Sequence, residues 1–346
     1  MSLNFIPQEN NRFGNIWRNG VVVLLFIFIA GLVATKYVSL AGTVFETAPV
    51  TTTSLVAVTS VSVQDTPRNT IGGDINFEHT VPAPQLSSSS VMISPDEFTA
   101  ESIVVKDKLS GKILYAKNEY DEHPIASITK LMSALVLLET SPNWPTSTQV
   151  VDDIVEDTHM YAGDTYTLEE LWNATLVGSS NKAVLTLVDA TGWKREAFVE
   201  RMNQKAEEIG MSNTHFFDPT GLDERNTATA SDVAILLSEA LRHNRICDAL
   251  LTKECSLYSN ERDKKQHIWN TDWLLLGWTP NQFMQINGGK TGYIPSSGYN
   301  FTVEVVDDVG HAIDIVILGA TLPQARFEEA KKIGEWVFEN YIWASR

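Results

Sequence analysis

The chain has 346 residues, of which 43% are hydrophobic and 20% are charged, values that are ordinary for a globular protein of one large or two medium domains. Its formal net charge is −17 at pH 7, and no stretch interleaves clustered basic residues with aromatic ones. Because binding to nucleic-acid phosphates needs such basic clusters, the composition argues against a nucleic-acid partner.

An uncharged apolar run occupies residues 19–35 and is preceded by two arginines. It is 17 residues long, close to the minimum for crossing a hydrocarbon core of about 30 Å. Positive charge before such a run favours a cytoplasmic N-terminus. We therefore predict a cytoplasmic tail over residues 1–18 and a single-pass transmembrane anchor over residues 19–41, with the rest of the chain outside the cytoplasmic membrane. The alternative is a signal segment that is cleaved near Ala41, which would make the remainder a secreted protein.

The next region, residues 42–95, is rich in Ser, Thr and Pro and has few charges or aromatic residues. Because such a composition cannot bury a hydrophobic core, we predict a flexible linker. Globular patterning begins near residue 96, so we predict one folded domain over residues 96–346.

The predicted elements of this domain begin with a β-hairpin whose turn is at Ser110–Gly111. Thr167 and Glu170 form a capping box at the start of one helix, and Ser231 is predicted to cap another. Helices are predicted over residues 128–140, 167–178, 181–190, 194–210, 230–243 and 326–342, and the last two strands over residues 298–308 and 311–321.

Strands therefore lie at both ends of the domain, and helices fill the middle. Strands that are joined by short turns are antiparallel, and helices packed on such a sheet define the α+β class. This arrangement requires the first and last hairpins to pair across about 200 residues of chain.

The pattern Ser127-x-x-Lys130 lies at the start of the first predicted helix, in an apolar context. Positions three apart share a helix face, so the amine can reach the hydroxyl. A serine hydroxyl becomes a strong nucleophile when a base removes its proton, and a lysine can be that base if burial or another cation lowers its pKa. The alternative is that Ser127 caps the helix and Lys130 is a solvated charge.

Two further motifs could complete such a site. Residues 290–292 (Lys-Thr-Gly) could supply a second cation from a strand, and the glycine would let a substrate approach closely. Residues 179–181 (Ser-Ser-Asn) lie in the turn between two predicted helices, where a hydroxyl and an amide can both face a cleft. Taken singly, the first could be an exposed turn and the second a helix cap.

Together, the three motifs and their order resemble those of the serine D-alanyl-D-alanine carboxypeptidases, the low-molecular-mass penicillin-binding proteins of peptidase family S11. Three segments carry the resemblance: PIASITKLMSALVLLE, FVERMNQKAEEIGMSNTHFFDPTGLD and KTGYIPSSGYN. The resemblance covers residues 96–346. It implies a β-lactamase/transpeptidase-like fold, with a five-stranded antiparallel sheet flanked by helices, a helical subdomain, and the site between them.

The resemblance also implies a role for each motif residue. The implied catalytic residues are Ser127 as the nucleophile, Lys130 as its base and Ser179 as a proton relay. The implied substrate-binding residues are Asn181, Lys290, Thr291 and Gly292. The implied oxyanion hole consists of the backbone N–H groups of Ser127 and Tyr293.

The implied reaction is hydrolysis of the terminal D-Ala-D-Ala bond of peptidoglycan stem peptides through an acyl-serine, with β-lactams as covalent inhibitors. No cofactor or metal is implied, and the seven histidines show no H-E-x-x-H spacing. Lys182 and Tyr293 stand where the family often has an acidic residue and a histidine. These departures bear on rate and pH dependence and not on the class of reaction.

Three alternatives remain open: a D,D-endopeptidase of the same family that cuts crosslinks, a β-lactamase, and a catalytically silent wall-binding or β-lactam-sensing module. Ser180 argues against a β-lactamase, whose second motif usually carries Asp at that place. The presence of Ser127, Lys130 and Lys290 together argues against a silent module.

Three residues outside the motifs are also relevant. His123 lies close to Ser127 in the sequence and is predicted to be a surface residue. Cys247 and Cys255 are the only cysteines and could be ordinary thiols or form a disulfide.

Overall fold

The structure is a computed structural model that describes residues 81–157 and 159–344. The predicted tail, the predicted anchor and the linker up to residue 80 lie outside the described residues. Among the residues it does describe, no helix combines the length and the apolar character that crossing a bilayer requires.

The strands are β1 (Gln85–Leu86), β2 (Ser102–Asp107), β3 (Ile113–Lys117), β4 (His123–Pro124), β5 (Ser147–Gln149), β6 (Thr165–Thr167), β7 (Thr227–Ala228), β8 (Glu254–Ser259), β9 (Lys264–Trp269), β10 (Gln285–Ile294), β11 (Gly298–Val306), β12 (Ala312–Ala320) and β13 (Tyr341–Ile342). The α-helices are α1 (Thr129–Glu139), α2 (Leu168–Leu176), α3 (Asn181–Ala190), α4 (Arg195–Ile209), α5 (Ala230–Ala240), α6 (Asn244–Leu251), α7 (Trp273–Leu276) and α8 (Ala325–Asn340). Two 3₁₀ helices, Pro95–Glu97 and Ala126–Ile128, precede β2 and α1.

Five strands form one antiparallel sheet in the order β10-β11-β12-β2-β3. The predicted hairpins at the start and end of the domain are β2–β3 and β11–β12, and both are confirmed. They join where β12 pairs with β2, with Ile317 opposite Ile103. The α+β class and the long-range pairing of the two hairpins are therefore confirmed.

Alternate side chains of the sheet point to opposite faces and enter two separate cores. On one face, Phe301, Val303 and Ile315 pack with the apolar side of α8. On the other face, Val104 and Val316 belong to the larger core that contains α1. Because both faces are covered, the strands read as nearly continuous apolar runs in the sequence.

Helix α1 lies at the centre of the helical region, and every residue from Thr129 to Leu137 is buried. Helices α3, α4 and α5 pack around it. This position explains why the helix is apolar on all sides. It also places Lys130, in the first turn, where water does not reach it.

Two predicted helix starts have different outcomes. The capping box of α2 is confirmed, since Thr167 and Glu170 exchange side-chain to backbone hydrogen bonds. The predicted cap at Ser231 is wrong, because Thr229 Oγ1 accepts the hydrogen bond from Asp232 N at 3.1 Å. Thr229 has the extended backbone that an N-cap residue needs, so α5 begins directly after it.

The end of the predicted linker is folded onto the domain. Strand β1 pairs with β13, with Gln85 opposite Ile342, and Ser94 caps the 3₁₀ helix that follows it. The part of the linker over residues 85–95 is therefore ordered, which corrects the prediction of a flexible tether there. A two-residue strand whose partner is distant in sequence leaves no periodic pattern to detect.

The predictions for three single residues are also settled by the fold. His123 is buried, not at the surface, and its Nε2 lies 2.8 Å from the carbonyl oxygen of Ser297. This histidine lies on β4, which pairs with β7 and places His123 opposite Ala228. Cys247 and Cys255 are free thiols, so the disulfide alternative is wrong.

Candidate active site

Ser127 lies in the 3₁₀ turn that leads into α1. Ala126, directly before it, has a φ of 48°, a left-handed conformation that is unfavourable for a residue with a side chain. Two glycines pack against this turn. A Cβ on Gly221 would lie 1.9 Å from Ala126 O, and a Cβ on Gly292 would lie 2.6 Å from Ile125 O. The strained turn is therefore held between the segment at Gly221 and strand β10 at Gly292. At both positions only glycine lets the backbone approach the turn so closely.

Lys130 is fully buried, and its Nζ makes three hydrogen bonds. Nζ lies 2.7 Å from Ser127 Oγ and 2.7 Å from Asn181 Oδ1, and it donates to the carbonyl oxygen of Thr220 at 2.8 Å. Burial lowers the pKa of Lys130 to about 7, against the opposing effect of two nearby aspartates. The structure thus brings the predicted hydroxyl and amine into contact and makes the amine an available base near neutral pH.

Lys290 reaches the same site from β10. Its Nζ donates to Ser179 Oγ at 2.8 Å and to the carbonyl oxygen of Thr291 at 3.0 Å. The residue is only 1% exposed. Burial lowers its pKa well below the ordinary value, and the charges of Lys130 and Arg326 lower it further. Of the two causes that the sequence allowed, burial and a second cation, burial is the one that lowers the pKa of Lys130.

Residues 179–181 lie where the turn after α2 leads into α3, whose first residue is Asn181, and Ser179 has a φ of 60°. Ser180 is the N-cap of α3, and its hydroxyl donates to Asp157 Oδ2 at 2.6 Å. The same oxygen accepts the backbone N–H of Lys182 at 2.8 Å. Asp157 therefore holds this strained turn in place. Asp157 could not be identified from the sequence because it lies in a segment without periodic structure.

Thr291 and Gly292 lie on β10 where the strand passes the 3₁₀ turn that contains Ser127. Thr291 Oγ1 donates a hydrogen bond of 2.7 Å to Thr271 Oγ1, another contact that the sequence did not reveal. Gly292 was expected to make room for a substrate. The structure shows that it makes room for the carbonyl oxygen of Ile125, so its smallness serves the packing of the strand on the turn.

A cleft of 210 Å³ opens between the helical region and the sheet. Ser127, Ser179 and Asn181 line it on the helical side, and Tyr293 lines it on the sheet side. His159 also lies in its wall, and burial lowers the pKa of that imidazole. Both lysines lie behind this surface, so the hydroxyls face the cleft and the amines support them. No group of three or more potential metal ligands occurs among residues 81–157 and 159–344.

Comparisons with known proteins show which family the chain resembles. The family described as D-alanyl-D-alanine carboxypeptidase, peptidase S11, matches residues 89–321. The chain is 30% identical over 251 residues to the D-alanyl-D-alanine carboxypeptidase DacF of Bacillus subtilis, a match that covers 70% of this chain and 63% of that protein. It is 28% identical over 255 residues to a D-alanyl-D-alanine endopeptidase of Pseudomonas aeruginosa, covering 72% and 80% of the two chains.

A solved structure gives the same result for the fold. Penicillin-binding protein D2 from Listeria monocytogenes, in its cefotaxime-bound form, matches with a TM-score of 0.61 and 25% identity. The match covers 72% of this chain and 100% of that one. The chain spans less than two thirds of the Bacillus subtilis relative, and 80% of the Pseudomonas aeruginosa one.

Proposed function

Because the chain belongs to the D-alanyl-D-alanine carboxypeptidase family, peptidase S11, we propose that its folded domain removes the terminal D-alanine of peptidoglycan stem peptides through an acyl-serine intermediate. The observation that carries the proposal is the 2.7 Å contact between Lys130 Nζ and Ser127 Oγ. Burial lowers the pKa of this amine to about 7, so a large share of it is neutral at physiological pH.

The contacts of Lys130 fit a neutral base. A neutral amine has two N–H donors and one lone pair. The oxygens of Asn181 and Thr220 can only accept, and they use both N–H groups. The lone pair is then left for the hydroxyl proton of Ser127. In acylation this proton moves to Lys130 while Ser127 Oγ bonds to the carbonyl carbon between the two D-alanines.

The leaving D-alanine must gain a proton as its C–N bond breaks. Ser179 Oγ accepts a hydrogen bond from Lys290, so its own proton is free to pass to the leaving nitrogen. The proton that Lys130 took from Ser127 then replaces it, which leaves Lys130 neutral again. Water then adds to the ester carbonyl, Lys130 takes a proton from the water, and Ser127 leaves with a proton restored. These steps return each side chain to its starting state.

The remaining motif residues would bind the substrate. The backbone N–H groups of Ser127 and Tyr293 would stabilise the oxyanion that forms in both steps. Asn181 would contact the substrate amide. Lys290, Thr291 and the strand at Gly292 would receive the terminal carboxylate, whose negative charge favours the ammonium form of Lys290.

A β-lactam offers the same site a strained amide carbonyl beside a carboxylate, so it would acylate Ser127 and remain attached. The cefotaxime-bound form of the Listeria monocytogenes relative supports this expectation. The test is covalent labelling of the purified domain with a tagged penicillin. Labelling is expected in the wild type and in Ser256→Ala, an exposed serine, and it should be absent in Ser127→Ala. Equal labelling of Ser127→Ala would contradict the assignment of the nucleophile.

A second candidate is a D,D-endopeptidase that cuts peptide crosslinks. It is supported by the Pseudomonas aeruginosa endopeptidase, of which this chain covers a larger share than of the Bacillus subtilis carboxypeptidase. Incubation with a D-Ala-D-Ala pentapeptide and with crosslinked muropeptides separates the two. Release of free D-alanine from the pentapeptide indicates a carboxypeptidase, and cleavage only of the crosslinked muropeptides indicates the endopeptidase.

The location of the domain is part of the same proposal. The uncharged run over residues 19–35 supports a membrane anchor with the N-terminus inside and the folded domain outside the cytoplasmic membrane. Mass measurement of the membrane-extracted protein tests this. Retention of residues 1–41 indicates an anchor, and their loss indicates a cleaved signal segment.

A further inference from the structure

Next to Thr291, which follows Lys290 on β10, lies one more hydroxyl, that of Thr271. Thr271 Oγ1 accepts the hydrogen bond of 2.7 Å from Thr291 Oγ1. Thr291 is 5% exposed and Lys290 is 1% exposed. Thr271 is half-buried, so it is the most exposed of these three residues.

Thr271 is held rigidly on both sides. Before it, the buried Asn270 donates from Nδ2 to two carbonyl oxygens, both at 2.9 Å. After it, the buried Asp272 caps α7 by accepting the N–H groups of its first turn. The N–H of Thr271 itself donates to the carbonyl oxygen of Val177, just before the turn at residues 179–181. Because the backbone on both sides of Thr271 is fixed by hydrogen bonds, its hydroxyl is pre-positioned and loses little conformational entropy when a ligand binds.

The hydrogen-bond count leaves one proton unused. Thr291 gives its proton to Thr271, so Thr291 has none left for a ligand in this arrangement. The hydroxyl proton of Thr271 has no acceptor among the described residues. A donor that already accepts a hydrogen bond is also polarised and becomes a stronger donor.

On these grounds, and resting on the proposed function, we propose that Thr271 is a substrate-binding residue that donates its hydroxyl to the terminal carboxylate. The two threonines then form a chain in which Thr291 donates to Thr271 and Thr271 donates to the anion. This chain, with the ammonium of Lys290, selects peptides that end in a free carboxylate over those that end in an amide.

The experiment measures binding without turnover, so that it is independent of the proposed reaction. In the Ser127→Ala background, calorimetry compares a peptide ending in D-Ala-D-Ala carboxylate with the same peptide as its C-terminal amide. Adding Thr271→Val, which has the same shape without the hydroxyl, is expected to weaken binding of the carboxylate about 10- to 100-fold. Binding of the amide should change by less than about twofold.

Two further variants control for damage to the fold. Thr271→Ser keeps the hydroxyl and is expected to restore the preference for the carboxylate. Thr252→Val removes a neighbouring hydroxyl that donates to the carbonyl oxygen of Asp248, and it should bind as the background does. The proposal is overturned if Thr271→Val keeps the full preference for the carboxylate, or if it weakens both peptides equally. Failure of the proposed reaction would instead be seen as absence of penicillin labelling in the wild type.

Discussion

Arg326, in the first turn of α8, donates a hydrogen bond of 3.2 Å to the carbonyl oxygen of Gly292. This carbonyl belongs to the same planar peptide group as the N–H of Tyr293, so an interaction that fixes one end also fixes the other. Arg326 is almost fully buried, and burial lowers its pKa to about 10, which leaves it cationic at neutral pH. A helix behind the sheet thus orients and polarises the N–H group that we place in the oxyanion hole.

Replacing Arg326 with Met should therefore slow acylation by penicillin about 10- to 100-fold, because the peptide at Gly292 loses both its anchor and the nearby charge. Stopped-flow labelling measures the rate, and thermal unfolding checks that the domain is folded. Lys332→Met, an exposed position on the same helix, is the matched control and should keep the wild-type rate. A wild-type rate in Arg326→Met would show that the arginine serves stability alone.

The rate of acylation should rise with pH and level off, with a midpoint at about 7. The sign follows from the role of Lys130, whose pKa burial lowers to about 7. Below that value the amine is protonated and cannot accept the proton of Ser127; above it the amine is neutral. Penicillin labelling rates between about pH 5 and pH 9 give the curve. In Lys130→Met, the acylation rate should be about 10²- to 10⁴-fold lower and should no longer rise with pH. An acylation rate of the wild type that does not change with pH would argue against Lys130 as the base.

Gly221→Ala should severely disturb the 3₁₀ turn that contains Ser127. Gly221 has a φ of 83°, and its Cβ would lie 1.9 Å from the carbonyl oxygen of Ala126. We expect a loss of about 2–5 kcal/mol in the free energy of unfolding and little labelling by penicillin. Gly192→Ala is the matched control, since Gly192 has a φ of 77° with no atom within 4 Å of the added Cβ. It should lose only about 1–2 kcal/mol, the cost of the left-handed backbone, and urea unfolding distinguishes the two.

Asp157→Asn tests how the turn at residues 179–181 is held. One carboxylate oxygen of Asp157 accepts from Ser180 and from the N–H of Lys182, and the other accepts from the N–H groups of His159 and Met160. The amide nitrogen of Asn cannot accept hydrogen bonds, so one of these two pairs of bonds is lost. We expect acylation to slow about tenfold. The midpoint of its pH profile should also move down, because the charge of Asp157 raises the pKa of Lys130. Asp152→Asn, an exposed neighbour, should change neither, and an unshifted midpoint in Asp157→Asn would limit its role to the shape of the turn.

The elements with a local signal were predictable from the sequence. The capping box at Thr167 and Glu170, and the helix that ends at Gly210, depend on interactions within a few residues. The N-cap of α5 is predicted at Ser231 but lies at Thr229, two residues earlier. Serine and threonine are both common N-cap residues, and only the backbone conformation distinguishes the two positions. The pairing of β1 with β13 was missed because two residues carry no pattern and the partner is far along the chain.

The class of the domain and the three motifs could be read from the sequence alone, because periodicity, caps and turns act over short range and nucleophilic acyl transfer demands particular residue types. Only the folded structure shows that Lys130 is buried and that Asp157 supports the turn at residues 179–181. The same holds for the hydrogen bond between Thr291 and Thr271 and for the one from Arg326 to Gly292 on β10. Each of these depends on segments distant in sequence meeting within about 3 Å. Such contacts, and the loss of water around them, exist only when the two sides of the cleft have packed together.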